Sequence, residues 1–202
     1  IWNQLVIKKM ILPVIAFGHP VLRKVGVNIA ADYPQLSSLI TDMFETMYHA
    51  HGVGLAAPQV GLAIRLFIID STPFDEDEED KPKQLSFKKV FINAEILEES
   101  GEEWSFSEGC LSIPEVREDV VRKPIIKIRY QDENFNTIEE TYDGILARII
   151  QHEYDHIEGK LFVDKIAPIK KRLILKKLDA ITKGLIRPEY KMKYPALKKK
   201  KS

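Results

Sequence analysis

The segment His152-Glu153-Tyr154-Asp155-His156 sets two imidazoles four residues apart, with a carboxylate beside the first. On an α-helix, residues i and i+4 share a face, so both rings can reach one metal ion. The preceding Ile145-Leu146-Ala147-Arg148-Ile149-Ile150-Gln151 reads as an amphipathic helix leading into the motif. Ile149, His152, Glu153 and His156 fall at i, i+3, i+4 and i+7, which is a single stripe. Two histidines and a glutamate on a stripe with isoleucine are costly to bury unless something pairs with them. A divalent cation is such a partner, and Glu153 then stands as a general base beside a water held on the metal. The competing reading is an exposed helix with an ordinary Glu–His pair, since short motifs of this kind also arise by chance.

The chain has 202 residues, enough for one well-buried core, and the sequence predicts a single domain. Its 45% hydrophobic and 30% charged residues are the composition of a soluble globular protein. No run of about 18 apolar residues occurs, so no membrane-spanning helix is expected. Residues 1–9 read as extra or upstream sequence, with Met10-Ile11-Leu12-Pro13 as the natural start. Neither segment has the basic, apolar and small-residue order of a secretory signal, and the cytoplasm is the expected location. Cys110 is the single cysteine, which excludes an intrachain disulfide. It leaves a buried inert thiol, a nucleophile or a metal ligand. Net charge is zero but unevenly spread: residues 75–80 are all acidic, residues 198–201 all lysine. Beyond Lys165 the acids are Asp179 and Glu189, far outnumbered by lysine and arginine. A basic tail of this kind tracks nucleic-acid phosphates or stays solvated.

Residues 34–50 carry Leu36, Ile40, Met43, Phe44 and Met47 at helical spacing, with Pro34 in the first turn and Gly52 past the end. Leu66-Phe67-Ile68-Ile69 reads as a strand, and residues 71–89 as an acidic surface insertion containing Pro73 and Pro82. Residues 90–97 and 103–107 read as further strands. Residues 125–130 alternate, and a turn at Asp132-Glu133-Asn134 joins them to residues 137–142 as a hairpin. The motif helix is expected over 142–156, with Gly159 marking its end. A last helix from Pro168 to about Gly184 has Ile169, Leu173 and Leu178 as its apolar stripe, after Ile166. The resulting fold class is α+β: antiparallel strands packed around a central motif-bearing helix, with an N-terminal and a C-terminal helix. Residues 10–184 form the expected catalytic domain and residues 185–202 a basic tail.

Three segments carry residues that structure alone explains poorly. Gly52-Val53-Gly54-Leu55-Ala56-Ala57-Pro58-Gln59-Val60-Gly61 has three glycines that permit positive φ and close backbone approach, and Gln59 offers an amide donor. A helix-to-strand turn rich in small residues is the other reading. Glu108-Gly109-Cys110-Leu111-Ser112-Ile113-Pro114 is a Gly- and Pro-bounded loop around the thiol, and the third segment is the His-Glu helix. Together they offer one thiolate and two imidazoles. That is three protein ligands and an open position, as catalytic rather than structural metal sites have. His19, His49 and His51 lack the spacing of a natural fourth ligand.

These segments resemble the signature motifs of the peptide deformylase family: Gly-x-Gly-Leu-Ala-Ala-x-Gln, Glu-Gly-Cys-Leu-Ser and Gln-His-Glu-x-Asp-His, in the family's order. Pro20-Val21-Leu22-Arg23 is similar to the family's opening segment, and the likeness covers roughly residues 11–165. The resemblance implies that Cys110, His152 and His156 hold one divalent metal ion. Iron(II) is the usual physiological ion, with zinc, nickel or cobalt able to replace it; the ligands alone would be read as zinc. It further implies that water in the open position attacks the formyl carbon of an N-formylmethionyl peptide, releasing formate. Glu153 acts as general base and then acid, while Gln59 and the Leu111 backbone N–H stabilise the formyl oxygen. Val53, Ile145 and Ile149 are expected to wall a methionine pocket, Gly54 to pair with an extended substrate, and Gly109 and Arg117 to lie near it. Each apolar wall residue would pass equally as core. Arg148 stands where the family commonly has an aliphatic residue; its stem is expected to line the pocket while its head reaches water. Glu108 and Asp155 either orient the ligands or form surface salt bridges. The acidic insertion is longer than a compact member requires, and the basic C-terminal region suggests the ribosome as a partner. A monomer is expected. Two rival readings remain: a zinc peptidase using the same helix, with its third ligand downstream, and a non-enzymatic ribosome-associated protein.

Overall fold

Leu66-Phe67-Ile68-Ile69 is apolar at every position, a pattern a strand carries when both of its faces are covered. In the computed structural model, which describes residues 9–72 and 87–195, this segment is the fully buried strand around which the domain is built. The elements run β1 (Val14–Ile15), α1 (Leu36–His49), β2 (Gly54–Ala56), β3 (Leu66–Asp70), β4 (Lys88–Ser100), β5 (Trp104–Cys110), β6 (Ile113–Arg122), β7 (Ile125–Gln131), β8 (Thr137–Asp143), α2 (Gly144–Ile157), α3 (Pro168–Thr182) and β9 (Met192–Lys193). A five-stranded antiparallel sheet has the order β2-β3-β4-β7-β8. β5 and β6 pair as a separate antiparallel hairpin, and β1 pairs with β9 in parallel. The architecture is α+β.

The two-residue period of β3 sorts its side chains onto two cores. Leu66 and Ile68 pack with Ile40, Met43, Phe44 and Met47 of α1. Phe67 and Ile69 join Ala147, Ile149 and Ile150 of α2 on the opposite face. There Phe67 stacks on its cross-strand partner Phe91 at 4.6 Å, and Phe91 lies 4.4 Å from Tyr130. On β7 the alternation holds, with Ile126, Ile128 and Tyr130 buried between outward neighbours. A third core joins Ile113, Val116 and Val120 of β6 to Leu161, Phe162, Leu178 and Ile181. The motif helix is thus enclosed by more than one layer, and residues around most of its circumference are buried.

Several expectations need correction. α1 starts at Leu36 after Gln35 in a left-handed conformation, so Pro34 precedes the helix. Tyr142 and Asp143 belong to β8, and the motif helix starts at Gly144. The segment 108–114 is not a loop: β5 runs through Cys110, Leu111 and Ser112 form a tight turn, and β6 begins at Ile113. β6 has no counterpart in the sequence reading. On α3, Ile169 and Leu173 are 64% and 76% exposed, and the buried residues are Leu178 and Ile181. The reason is spacing: Leu173 and Leu178 are five apart, about 140° around the helix, whereas Ile174, Leu178 and Ile181 follow i, i+4, i+7. Within the basic tail, Met192 and Lys193 pair with Val14 and Ile15. The acidic run 75–80, residues 1–8 and the lysines 198–201 lie outside the described residues.

Gly144 and Gly159 flank the motif helix with φ of +55° and +69°. A Cβ at Gly144 would meet nothing within 4 Å, whereas one at Gly159 would lie 2.8 Å from the Arg23 carbonyl oxygen. Gly144→Ala should therefore lose only the left-handed penalty, about 1–2 kcal/mol. Gly159→Ala should lose clearly more, since backbone must move. Urea unfolding of the two variants tests this, and equal losses would refute the close-packing argument.

Candidate metal centre

The tight β5–β6 turn holds the thiol, and α2 holds the two imidazoles. The Cys110 sulfur and one ring nitrogen from each of His152 and His156 lie within 4.8 Å of one another. Cys110 Sγ is 3.3 Å from His156 Nε2, and the two rings stand 5.1 Å apart at 79°. Ligands about 2.3 Å (sulfur) and about 2.0 Å (nitrogen) from a tetrahedral ion would be separated by roughly 3.5 Å, so the spacing suits a metal. Burial, then the neighbouring His152, holds His156 well below its ordinary pKa, which keeps it neutral and able to ligate. The donor set therefore fits a divalent cation, with room for a further ligand.

Glu153 lines the same cavity as Cys110 and His152. It is 4% exposed, and its Oε2 has no hydrogen-bond partner among the described residues. Burial pushes its carboxyl up to about 7, with Glu108 adding to the rise. The side chain lies against the backbone of Gly54, where a Cβ would sit 2.5 Å from Glu153 Oε1. The glycines of this segment serve close approach more than positive φ. Gly61 alone of the three has it, at +96°, and a Cβ on Gly52 would meet Leu111 at 2.8 Å.

Gln59 is oriented by its own turn. Its Oε1 accepts the Ala56 N–H at 2.8 Å, which directs its Nε2 toward Cys110 Sγ (3.4 Å) and Ser112 Oγ (3.3 Å). Leu111 occupies the turn next to the thiol, and its N–H has no hydrogen-bond partner among the described residues.

Beneath the ligands lies a buried charge network. His152 Nδ1 is 2.9 Å from Glu108 Oε2, leaving Nε2 to face the site. Arg122 donates to both oxygens of Glu108, at 2.7 and 2.9 Å, and to Asp155 at 2.6 Å. Burial alone would raise the Glu108 carboxyl, but the bonds from Arg122 and His152 outweigh it and hold it well below the usual range. Glu108 thus touches the candidate ligand His152 directly, Asp155 reaches it through Arg122 and Glu108, and neither is a surface salt bridge. Arg148 departs from expectation: it is 3% exposed and its head does not reach water. Its guanidinium donates to Glu108 Oε1 (3.0 Å), the Val120 carbonyl (2.9 Å) and the Trp104 carbonyl (2.8 Å), and lies 4.6 Å from the Trp104 ring.

A cavity of about 570 Å³ opens over this centre, and Val53, Gly54, Gly109, Arg117, Ile145 and Ile149 all line it. Arg117 folds over Gly109, its cross-strand partner, and donates to the Ser107 carbonyl at 2.8 Å. Sequence reasoning missed Arg122, Phe106, Ser112, Pro188 and Tyr190. The signal for Arg122 was the alternation Val116-x-Glu118-x-Val120-x-Arg122, which puts it on the inner face of β6. Pro188 and Tyr190 carried none, because only the β1–β9 pairing returns that segment to the cavity.

Glu108→Gln keeps the shape but leaves two buried guanidinium groups short of an anion. Stability should fall by about 3–5 kcal/mol, and zinc affinity should fall roughly tenfold or more as His152 loses its orienting partner. Chelator competition measures the second effect; unchanged affinity would show that His152 keeps its orientation without Glu108.

Comparison with known proteins agrees with this geometry. The family model described as polypeptide deformylase matches residues 11–172. The peptide deformylase of Flavobacterium johnsoniae is 61% identical, over 94% of this chain and 99% of its own. That of Christiangramia forsetii is 60% identical, with the same coverage. Among solved structures, a peptide deformylase from Legionella pneumophila superimposes with a TM-score of 0.73 at 37% identity, covering 88% of this chain and 99% of its own. The Thermotoga maritima peptide deformylase gives 0.68 at 39% identity, with 78% and 99% covered. With its thiol, paired imidazoles and buried glutamate brought together by the segments that carry the motifs, the chain belongs to the polypeptide deformylase family.

Proposed function

We propose that this protein removes the formyl group from the N-terminal formylmethionine of newly made polypeptides, yielding formate and a free α-amino group. The observation that carries the reading is the meeting of one sulfur and two imidazole nitrogens beside a buried carboxylate with an unpartnered oxygen. Cys110, His152 and His156 would hold one divalent ion, iron(II) by family likeness, with zinc, nickel or cobalt as substitutes. When bound, the ion supplies a Lewis acid and lowers the pKa of water. Glu153 takes the proton from the attacking water and returns it to the departing amine; a carboxyl near pH 7 suits both transfers. Gln59 Nε2 and the Leu111 N–H donate to the formyl oxygen as its charge grows, each worth about 3 kcal/mol of barrier.

Val53, Ile145 and Ile149 give the methionine side chain an apolar wall, with Gly109 and Arg117 along the peptide. β2 is an edge strand, and Gly54 within it presents backbone to an extended substrate. Among the described residues no helix is long and apolar enough to cross a membrane. A monomer acting in the cytoplasm is the proposed state. The peptidase alternative needs a third ligand downstream of the helix, whereas the thiol that joins the rings lies upstream, at Cys110.

Anaerobically purified protein should contain one metal ion per chain and release formate from formyl-Met-Ala-Ser. Glu153→Ala should keep the metal and lose turnover by about 10²–10⁴-fold, while Cys110→Ala should lose most of the metal. Near-normal turnover in Glu153→Ala, or cleavage of internal bonds in unformylated peptides, would overturn the assignment. The basic C-terminal region is the proposed contact with the ribosome. Replacing the lysines at 198–201 with serine should weaken ribosome co-sedimentation most at low salt, and unaltered co-sedimentation would remove that contact.

A further inference from the structure

The segment after α3 is built into the fold and reaches the catalytic cleft. Leu185 N–H donates to the Ala180 carbonyl at 3.0 Å, and Tyr194 Oη to the Ile186 carbonyl at 2.7 Å. β9 then lies beside β1, with Val14 N–H on the Lys191 carbonyl and Ala16 N–H on the Lys193 carbonyl, each at 2.9 Å. Held this way, Pro188 and Tyr190 form part of the cavity wall. Tyr190 Oη donates to the Leu111 carbonyl at 2.7 Å.

That bond falls where the β5–β6 ladder is least able to hold the chain. The register shifts between Gly109 and Cys110, and the turn joins Cys110 directly to Ile113. Ser112 has its own anchors, the Phe17 N–H on its carbonyl (2.9 Å) and Gln59 on its hydroxyl (3.3 Å). Leu111 is reached by Tyr190. A phenol is protonated at neutral pH and so a donor, and burial raises the pKa of Tyr190 further.

Building on the deformylase reading above, we propose that Tyr190 is a positioning residue. By fixing the Leu111 carbonyl it fixes the Cys110–Ile113 turn, and with it the aim of the Leu111 N–H at the formyl oxygen. The role is one of orientation: Tyr190 acts on the reaction through Leu111. Small errors in such donors weaken a bond that matters most in the transition state, so the effect belongs in kcat rather than in KM.

Tyr190→Phe removes the hydroxyl and keeps the ring in the cavity wall. In the metal-loaded enzyme, kcat for formyl-Met-Ala-Ser should fall about three- to tenfold, the scale of one hydrogen bond, with KM altered less than about twofold. Metal content should stay at the wild-type level. In zinc-loaded protein the Leu111 amide resonance should move, giving a readout independent of turnover. Tyr194→Phe, which removes the bond to Ile186 without touching Leu111, should leave both kcat and that resonance in place. Wild-type kcat with an unmoved Leu111 resonance in Tyr190→Phe would overturn the proposal. So would an equal loss in Tyr194→Phe, which would trace the effect to general loosening of the segment. Wild-type protein that carries its metal but releases no formate would instead sink the deformylase reading on which the proposal rests.

Discussion

Glu108 ties the segments that carry the candidate metal ligands into one body. It lies two residues before Cys110 on β5, faces His152 of α2, and receives Arg122 from β6 and Arg148 from α2. Two guanidinium groups, the Glu108 carboxylate and an imidazole share a largely buried space, where charges left unpaired are expensive. The His152 ring is therefore tied to the strand that carries Cys110 by buried ionic contacts. Arg122 extends the tie to Asp155, which sits between the two histidines in sequence. Both ends of the His-Glu motif are thereby referred to the same strand pair.

The five-stranded sheet provides the other fixed surface. Phe67 and Ile69 on one side of β3 seat α2, while β2 at the sheet's edge brings Gly54 against Glu153. A glutamate buried this way keeps its proton more readily than one in water, and it cannot swing away to solvate itself. Glycine at position 54 is needed because any side chain would occupy the space of the carboxylate. The close approach and the raised acidity are two results of the same packing.

The sequence made the centre legible because its chemistry is local. His152, Glu153 and His156 repeat at helical spacing, Cys110 is the lone thiol, and the segments holding Gln59 and Leu111 are short and distinctive. Strands with clean alternation or continuous apolarity, β3, β7 and β8, were equally readable. β6 was not, because Pro114 and the charges at 115, 117, 118 and 119 mask its inward Val116, Val120 and Arg122. Arg148 reads as a snorkelling residue because its acceptors, one carboxylate and two carbonyls, come from distant strands, and long-range pairing leaves no trace in spacing. The stripe on α3 was misplaced through counting apolar residues without their angles. Tyr190 was invisible for the same reason as Arg148: the contact that gives it meaning lies 79 residues away.

The parallel pairing of β1 with β9 has a temporal side. During vectorial synthesis Val14 emerges early and must wait for Met192 before that small sheet can close. The central sheet, both metal-binding segments and α3 can all assemble first. Long-range pairings of this type form late, since loop closure has to be met before the contacts reward it. The cavity wall contributed by Pro188 and Tyr190 therefore closes only after the sheet and the two helices around it are in place.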